Sequence, residues 1–407
     1  MTRPIRPVVL ALALALPLAC PLACSESHEQ HRGPEFHFGP APERPAEPGS
    51  LIMVGKTAAA GPGVRDDGSV VFAVEFFEGS FEEARTVAQA SNRLLFLDVG
   101  AYWCPPCHEL DEKTFTDPRV GEWLNKHAVA LHIDAEKGEG PDLVKRYRVQ
   151  AYPTMLVLEA SGVEKGRLVD FVPPDELVPK LEALAKGGNV LAELEKKAAD
   201  APDDIDALYQ LGHAYLLAAK RNEAEQVFAR VLAGDLDNAK GYASQVFYDL
   251  SMFATLKLDG DPEGAIRELE QLQKKYPDSP EATKAYRVIG RALCQLERQD
   301  EAAAALQKMV ETDPEDVSLK ASFGWFAFRE NCRPDAGLEA VLAGIAKKPD
   351  DAELRYLEAE LRRLLNEPEL ALAAIRKASE LEPDSAYYRR QVRRFEALAA
   401  GQPAPTH

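Results

Sequence analysis

Residues 93–103, RLLFLDVGAYW, are an apolar run broken by almost nothing polar, the pattern of a strand buried on both faces. Strand and helix periodicities alternate around it. VVFAVEFF (70–77) predicts a strand. SFEEARTVAQASN (80–92) predicts a helix opened by a Ser80/Glu83 capping box. DPRVGEWLNKH predicts a helix, AVALHID a strand and EGPDLVKRYRV a helix. QAYPTMLVL is a strand entered through Pro153, where a proline is most easily placed in a cis turn. After the ASG turn, VEKGRLVDFV adds a strand and PPDELVPKLEALAKG a closing helix. The predicted order is β-α-β-α-β-α-β-β-α.

From about residue 188 the strand signals stop and the chain becomes rich in Ala and Leu, with a repeat. LYQLGHAYLLAAKRNEAEQVFARVL (208–232) places Leu211, Gly212, Tyr215, Ala224 and Phe228 at a spacing that recurs in 285–314 (Gly290, Ala302, Leu306, Pro314) and in 352–383 (Ala371, Ile375, Ala378, Pro383). Weaker copies end at KYP (275–277) and KKP (347–349), and Pro277, Pro314, Pro349 and Pro383 fall 37, 35 and 34 residues apart. Small residues let paired helices approach, and each proline stops the second helix. This half resembles a tetratricopeptide (TPR) solenoid of about five helix pairs, with SAYYRRQVRRFEALAAG as a capping helix. The resemblance implies a concave, partner-binding face. Lys284, Arg287 and Arg291, spaced i, i+3, i+7, share one face of a first helix, and Arg329 on the next first helix extends the patch. An acidic peptide segment or a C-terminal carboxylate is the expected partner there. An irregular helical bundle without a binding role is the other reading.

The N-terminus changes the expected location. Arg3 and Arg6 precede VVLALALALPLA, an apolar stretch of signal-peptide length and too short to span a bilayer. PLAC then occurs twice, ending at Cys20 and Cys24. A small residue before a cysteine resembles a bacterial lipoprotein signal, although Pro17 or Pro21 stands where such signals carry Leu. Cys24 is the better lipidation site, because SESHEQHRG after it is fully polar. The resemblance implies export to the periplasm or cell envelope with a lipid anchor, and disulfides are permitted there. Residues 25 to about 69, rich in Pro, Gly, Glu and Ser, read as a flexible tether, and His28, His31 and His37 as ordinary linker residues, with capture of a metal as the other reading. The expected division is 1–24 signal, 25–69 linker, 70–187 α/β domain and 188–407 repeats. A net charge of −18 argues against a nucleic-acid partner.

The candidate chemistry lies in GAYWCPPCHEL (100–110). Cys104 ends the apolar strand, where open α/β sheets place their sites. PPCHELDEKTF then opens a helix with prolines in its first turn. A cysteine at a helix N-terminus is stabilised as thiolate by the macrodipole and unpaired N–H groups. Cys104 is therefore the expected attacking thiolate, and Cys107, one turn on, the resolving thiol. CPPCH also satisfies a C-x-x-C-H haem-attachment pattern. A zinc site would need a second pair, whereas Cys294 and Cys332 lie singly, free either to pair with each other or to be buried as thiols.

With FLDVGAYWCPPC and AYPT in place, residues 70–187 resemble the thioredoxin superfamily, an α/β fold with a central mixed sheet flanked by helices. The capped helix before the strand and TFTDPRV after the site most resemble the C-terminal periplasmic domain of DsbD-type thiol:disulfide interchange proteins. The resemblance implies a redox-active Cys104–Cys107 disulfide that exchanges with protein thiols and disulfides. It also implies an upstream thiol donor or acceptor and no metal or organic cofactor. Trp103, Tyr152 and Thr154 would line the substrate groove and Pro153 would lie against the dithiol. Asp98 would be the buried acid that handles the proton of Cys107. The sequence departs from the pattern twice: the lysine partner of the buried acid would fall near Ala130, and Tyr152 replaces a branched aliphatic. The expected function is an exported protein-disulfide oxidoreductase with a TPR scaffold. The alternative is a TPR-based envelope assembly protein in which the α/β domain is secondary.

Overall fold

The computed structural model describes residues 61–188 and 190–402. The leader, Cys20, Cys24, His28, His31 and His37 lie outside the described residues. A four-stranded mixed sheet has the order β4-β3-β5-β6, built from β3 (Leu94–Gly100), β4 (Ala128–Asp134), β5 (Thr154–Leu158) and β6 (Glu164–Val169). β3 runs parallel to β4 and antiparallel to β5, so it is the buried centre that its unbroken apolar run predicts. The flanking helices are α1 (Phe81–Ser91), α2 (Pro105–Glu109), α3 (Pro118–His127), α4 (Gly140–Arg146) and α5 (Pro174–Ala185). At α1 the Ser80 side chain accepts from Glu83 N and Glu83 accepts from the Ser80 backbone, completing the expected box.

The strand expected over 70–77 is corrected. Only Val70–Val71 (β2) is strand, paired with Gly63–Val64 (β1). Beyond it, Ala73 N and Val74 N donate to Phe115 O, Phe76 makes one isolated parallel bridge to Ala130 of β4, and α3 takes the bonds in between. Asn125 accepts from Glu75 N at 2.8 Å and donates to Ala73 O at 3.1 Å. A Cβ on Gly121 would lie 2.4 Å from Ala73 O, so the helix and the segment's backbone are in direct contact.

Twelve helices follow: α6 (Val190–Asp200), α7 (Ile205–Leu217), α8 (Arg221–Gly234), α9 (Tyr242–Asp249), α10 (Pro262–Lys275), α11 (Pro280–Gln295), α12 (Gln299–Thr312), α13 (Val317–Arg329), α14 (Pro334–Lys347), α15 (Ala352–Leu364), α16 (Pro368–Leu381) and α17 (Ala386–Ala399). Pairs α7/α8, α9/α10, α11/α12, α13/α14 and α15/α16 form the solenoid. The small residues act as the spacing predicts: a Cβ on Gly212 would meet Phe228 at 2.4 Å, and one on Gly290 would meet Leu306 at 2.4 Å. A π-helical segment, Leu250–Leu258, continues α9.

The last helix does more than cap. Arg390 of α17 donates to Gly68 O (2.8 Å) and to Glu112 (2.6 Å), and Arg393 donates to Asp67 (2.7 Å). Gly68, at φ +84°, passes so close beneath α17 that a Cβ would stand 2.5 Å from Ala386 O. The solenoid therefore reaches back to the α/β layer, and the two halves pack as one body.

Cys294 on α11 is bonded to Cys332, just beyond α13, closing a separation of 38 residues. A loop of that size contributes about 2–4 kcal/mol by restricting the unfolded chain. The Cys294→Ala/Cys332→Ala double variant is expected to unfold at lower denaturant by about that amount. Guanidinium unfolding of both proteins is the check, and coincident curves would leave the pair without a stabilising role.

Candidate functional site

The chain leaves β3 at Gly100 and turns directly into α2, with Cys104 as N-cap and Pro105 and Pro106 in the first turn. Cys107 N and His108 N donate to Cys104 O at 3.1 and 3.2 Å, which turns Cys107 back towards Cys104. The two are joined as a disulfide with Cα atoms 5.3 Å apart. Gly100 leaves room for this: a Cβ there would lie 3.1 Å from Cys107 Sγ.

Both sulfurs are covered, Cys104 at 2% and Cys107 at 5% exposure. Ala101, Trp103, Cys104 and Cys107 belong to the solenoid's own apolar core. Phe328 packs edge-on to Tyr102, and the Arg329 guanidinium lies 4.1 Å from the centre of the Trp103 ring. Tyr387 of α17 lies against His108 at 4.3 Å. The redox candidates and the repeats are thus one site, a conjunction that no periodicity in the sequence expresses.

Behind the dithiol lies a buried polar cluster. Asp98, in the middle of β3, is opposite His132 in the register with β4. His132 Nε2 is 3.2 Å from Asp98 Oδ2 and 3.6 Å from Asp111 Oδ1. Asp111 is carried inward by the π-helical turn Leu110–Thr114 that follows α2. The basic partner of the buried acid is therefore present, but as His132 rather than a residue near position 130. One signal pointed to it: His132 is the lone polar residue between apolar neighbours of AVALHID. Asp111 was also missed, although it lies four residues after Cys107 and hence on its helix face.

Burial pushes the Asp111 carboxyl up to about 7, against the attraction of His132. Burial alone would lower His132, but the Asp111 charge and the hydrogen bond with Asp98 outweigh it and raise the imidazole to about 9. Asp98, Asp111 and His132 bring their ligand atoms within 4.8 Å of one another, so they are the described residues best placed to hold a metal. The imidazolium between the two carboxylates already supplies positive charge there. A cavity of about 270 Å³, lined by Cys107, Asp111, His132, Tyr102 and Arg394, borders the cluster.

On the other side of Trp103 is a larger groove of about 1200 Å³. Trp103 and Tyr152 line it with their ring centres 6.3 Å apart, and Trp103 Nε1 donates to Glu136 at 2.9 Å. Pro153 follows through a cis peptide and is buried behind Tyr152. Thr154 is corrected: it is 1% exposed and its hydroxyl donates to Ala151 O at 2.7 Å, so it braces the turn from inside instead of facing the groove. Arg287, Arg291 and Arg329 all line the groove. Lys284 does not, being exposed and paired with Glu281 at 3.2 Å.

The cluster makes stability depend on pH. Asp111 holds its proton more tightly folded than unfolded, so stability falls as pH rises from 3.8 to about 7. The contribution of the charged His132 is complete below 6.5 and fades as pH rises through about 9. Asp111→Asn removes the first loss, and its stability is expected to change less than wild type between pH 5 and pH 7. Urea unfolding of the oxidised proteins at both pH values tests this; parallel profiles would show that Asp111 does not titrate in that window.

The thioredoxin-like domain family matches residues 81–185, and the tetratricopeptide repeat family matches residues 242–279. The second match covers α9, its π-helical continuation and α10, a less regular copy of the repeat. The thiol:disulfide interchange protein DsbD of Campylobacter jejuni (strain RM1221) is 29% identical over 104 residues, 25% of this chain and 18% of that protein. The DsbD of Cronobacter sakazakii is 36% identical over 92 residues, 22% of this chain and 16% of its own. The chain thus spans less than a fifth of the length of these curated relatives. A thioredoxin from Thermus thermophilus, solved in solution, is 28% identical, with 28% of this chain and 91% of that one covered at a TM-score of 0.26. Residues 81–185 are a thioredoxin-like domain, and the chain joins it to a helical region of tetratricopeptide repeats.

Proposed function

We propose that the protein is an exported thiol:disulfide oxidoreductase that exchanges disulfides with other proteins through Cys104 and Cys107, with the repeats as its partner-binding scaffold. The observation that carries this reading is the Cys104–Cys107 bond across the first turn of α2, with the Asp98–His132–Asp111 cluster directly behind it. In the reducing direction Cys104 thiolate attacks a substrate disulfide, forming a mixed disulfide and releasing one substrate thiolate. Cys107 then loses its proton to the buried carboxylates and attacks Cys104 Sγ. The Cys104–Cys107 bond forms, the second substrate thiol leaves, and two electrons have passed to the substrate. The oxidising direction is the reverse, set by the partner's potential. A separate thiol donor or acceptor resets the dithiol. Asp111, whose carboxyl burial pushes up to about 7, serves as a proton acceptor with Asp98 beside it.

The division into a signal (1–24), linker (25–69), thioredoxin-like domain (70–187) and repeat domain (188–407) belongs to the same reading, with the correction that the linker's last residues are part of the fold, Gly63–Val64 as β1 and Asp67–Gly68 against α17; lipidation at Cys24 in the periplasm or cell envelope belongs to it too. The leader pattern, the adjacent cysteine and the two disulfides support it. Among the described residues no helix is long and apolar enough to cross a membrane.

Incubated with a protein disulfide, reduced Cys107→Ser is expected to accumulate mixed disulfides on non-reducing gels, and Cys104→Ser none. The opposite pattern would make Cys107 the nucleophile. Asp98→Asn is expected to slow exchange at neutral pH by about a hundredfold at most, the low end for loss of a general base, because Asp111 remains. Stopped-flow tryptophan fluorescence from pH 6 to 9 reads the rate, and an unchanged profile would leave Asp98 with a structural role alone.

A further inference from the structure

The groove beside Trp103 has a charge opposite to that of the chain. The protein carries a net −18, yet seven basic side chains and three carboxylates line this cavity. Two of those carboxylates are already engaged: Asp259 pairs with Arg221, and Glu330 with Arg291 at 2.5 Å. The third, Glu136, accepts from Trp103. Among the described residues Arg148, Lys257, Arg287 and Arg329 have no ion-pair partner. Lys257 Nζ donates to Gln150 O, two residues before Tyr152. Burial, with Arg291 and Arg329 nearby, lowers its pKa to about 7. Arg329 is likewise lowered to about 10 by burial and by Arg291. The cations crowd one another at the edge of the dithiol, and an anion placed among them would relieve all of them together.

This excess lies against the residues that precede Cys104 and the cis-proline. Trp103 immediately precedes Cys104, Tyr152 precedes Pro153, and both line the groove that Arg287 and Arg329 face from the solenoid. We propose that this composite groove is where the dithiol meets its substrates, and that Arg287 and Arg329 select polypeptides with acidic residues flanking the disulfide to be exchanged. The inference rests on the disulfide-exchange function and adds its substrate class. A guanidinium takes a carboxylate through two parallel hydrogen bonds, in a setting already partly stripped of water. The Arg329 guanidinium lies on the ring of Trp103, the residue that precedes Cys104. Arg291 holds Glu330 in an ion pair at 2.5 Å.

The test uses the full-length protein, dithiothreitol as the electron donor with its uncatalysed rate subtracted, and three synthetic peptides of one sequence, each with one disulfide flanked by Glu, Gln or Lys. Hydroxyethyl disulfide, small and uncharged, reports exchange itself. Wild type is expected to have a kcat/KM about ten- to a hundredfold higher for the Glu peptide than for the Gln peptide, the range of one charge-assisted hydrogen-bond pair. That preference should shrink as salt is raised. Arg287→Gln/Arg329→Gln should abolish it, Arg287→Glu/Arg329→Glu should turn it towards the Lys peptide, and Arg329→Lys should retain part of it. Lys308→Ala, an exposed change elsewhere on the solenoid, should behave as wild type. Equal rates for the three peptides while hydroxyethyl disulfide is reduced would overturn the acidic specificity and leave the exchange function standing. No reduction of any disulfide would overturn both.

Discussion

The turn that carries the dithiol is buried twice, once by its own sheet and once by the solenoid. Trp103, Cys104 and Cys107 share an apolar core with the repeats, and Arg329 and Tyr387 press on the aromatic and imidazole rings on either side. A thioredoxin-like sheet of four strands is small, and α17 anchors it through Arg390, Arg393 and the close passage of Gly68. Apolar burial at this contact joins what composition presents as two separate domains. The dithiol is therefore covered in part by a surface the thioredoxin-like domain does not own.

Burying the dithiol also raises the cost of the charge that exchange chemistry needs. Two carboxylates within one buried cluster would repel and desolvate each other, and His132 is the compensation, placed by strand register between Asp98 and Asp111. A lysine would bring a fixed charge on a long stem. An imidazole brings a compact, planar cation, here held protonated up to about pH 9 by the Asp111 charge and the hydrogen bond with Asp98. Both π-helical segments belong to this arrangement. One turns Asp111 inward behind Cys107, and the other brings Lys257 against the backbone before Tyr152. An extra residue per turn redirects one side chain without moving the rest of the helix, which is why such segments gather at functional sites.

Much of this was legible in the chain. The apolar run 93–103 determined the central strand, the Ser80/Glu83 pair determined the start of α1, and the spacing of Gly212, Gly290 and the prolines determined the helix pairs, because each is a local rule in which a residue's own geometry decides. Cys104 at the N-cap of α2 follows from the prolines behind it. The strand over 70–77 failed because its hydrogen-bonding groups were claimed by Asn125 and Phe115, residues 50 and 42 positions away in the case of Glu75 and Ala73, and a local pattern carries no information about such a competitor.

What only the tertiary structure decided is which local features meet. Register across β3 and β4 set His132 opposite Asp98, two positions beyond the place where a partner was sought. Superhelical stacking brought Arg287, Arg291 and Arg329 to Trp103 and left Lys284 outside, although all three α11 cations share one helical spacing. The pairing of Cys294 with Cys332 depended on the same stacking. The physical reason is common to all of these. Periodicity determines the face on which a side chain lies, but the face it meets is set by packing that minimises exposed apolar area over the whole chain, and that is a property of no single segment.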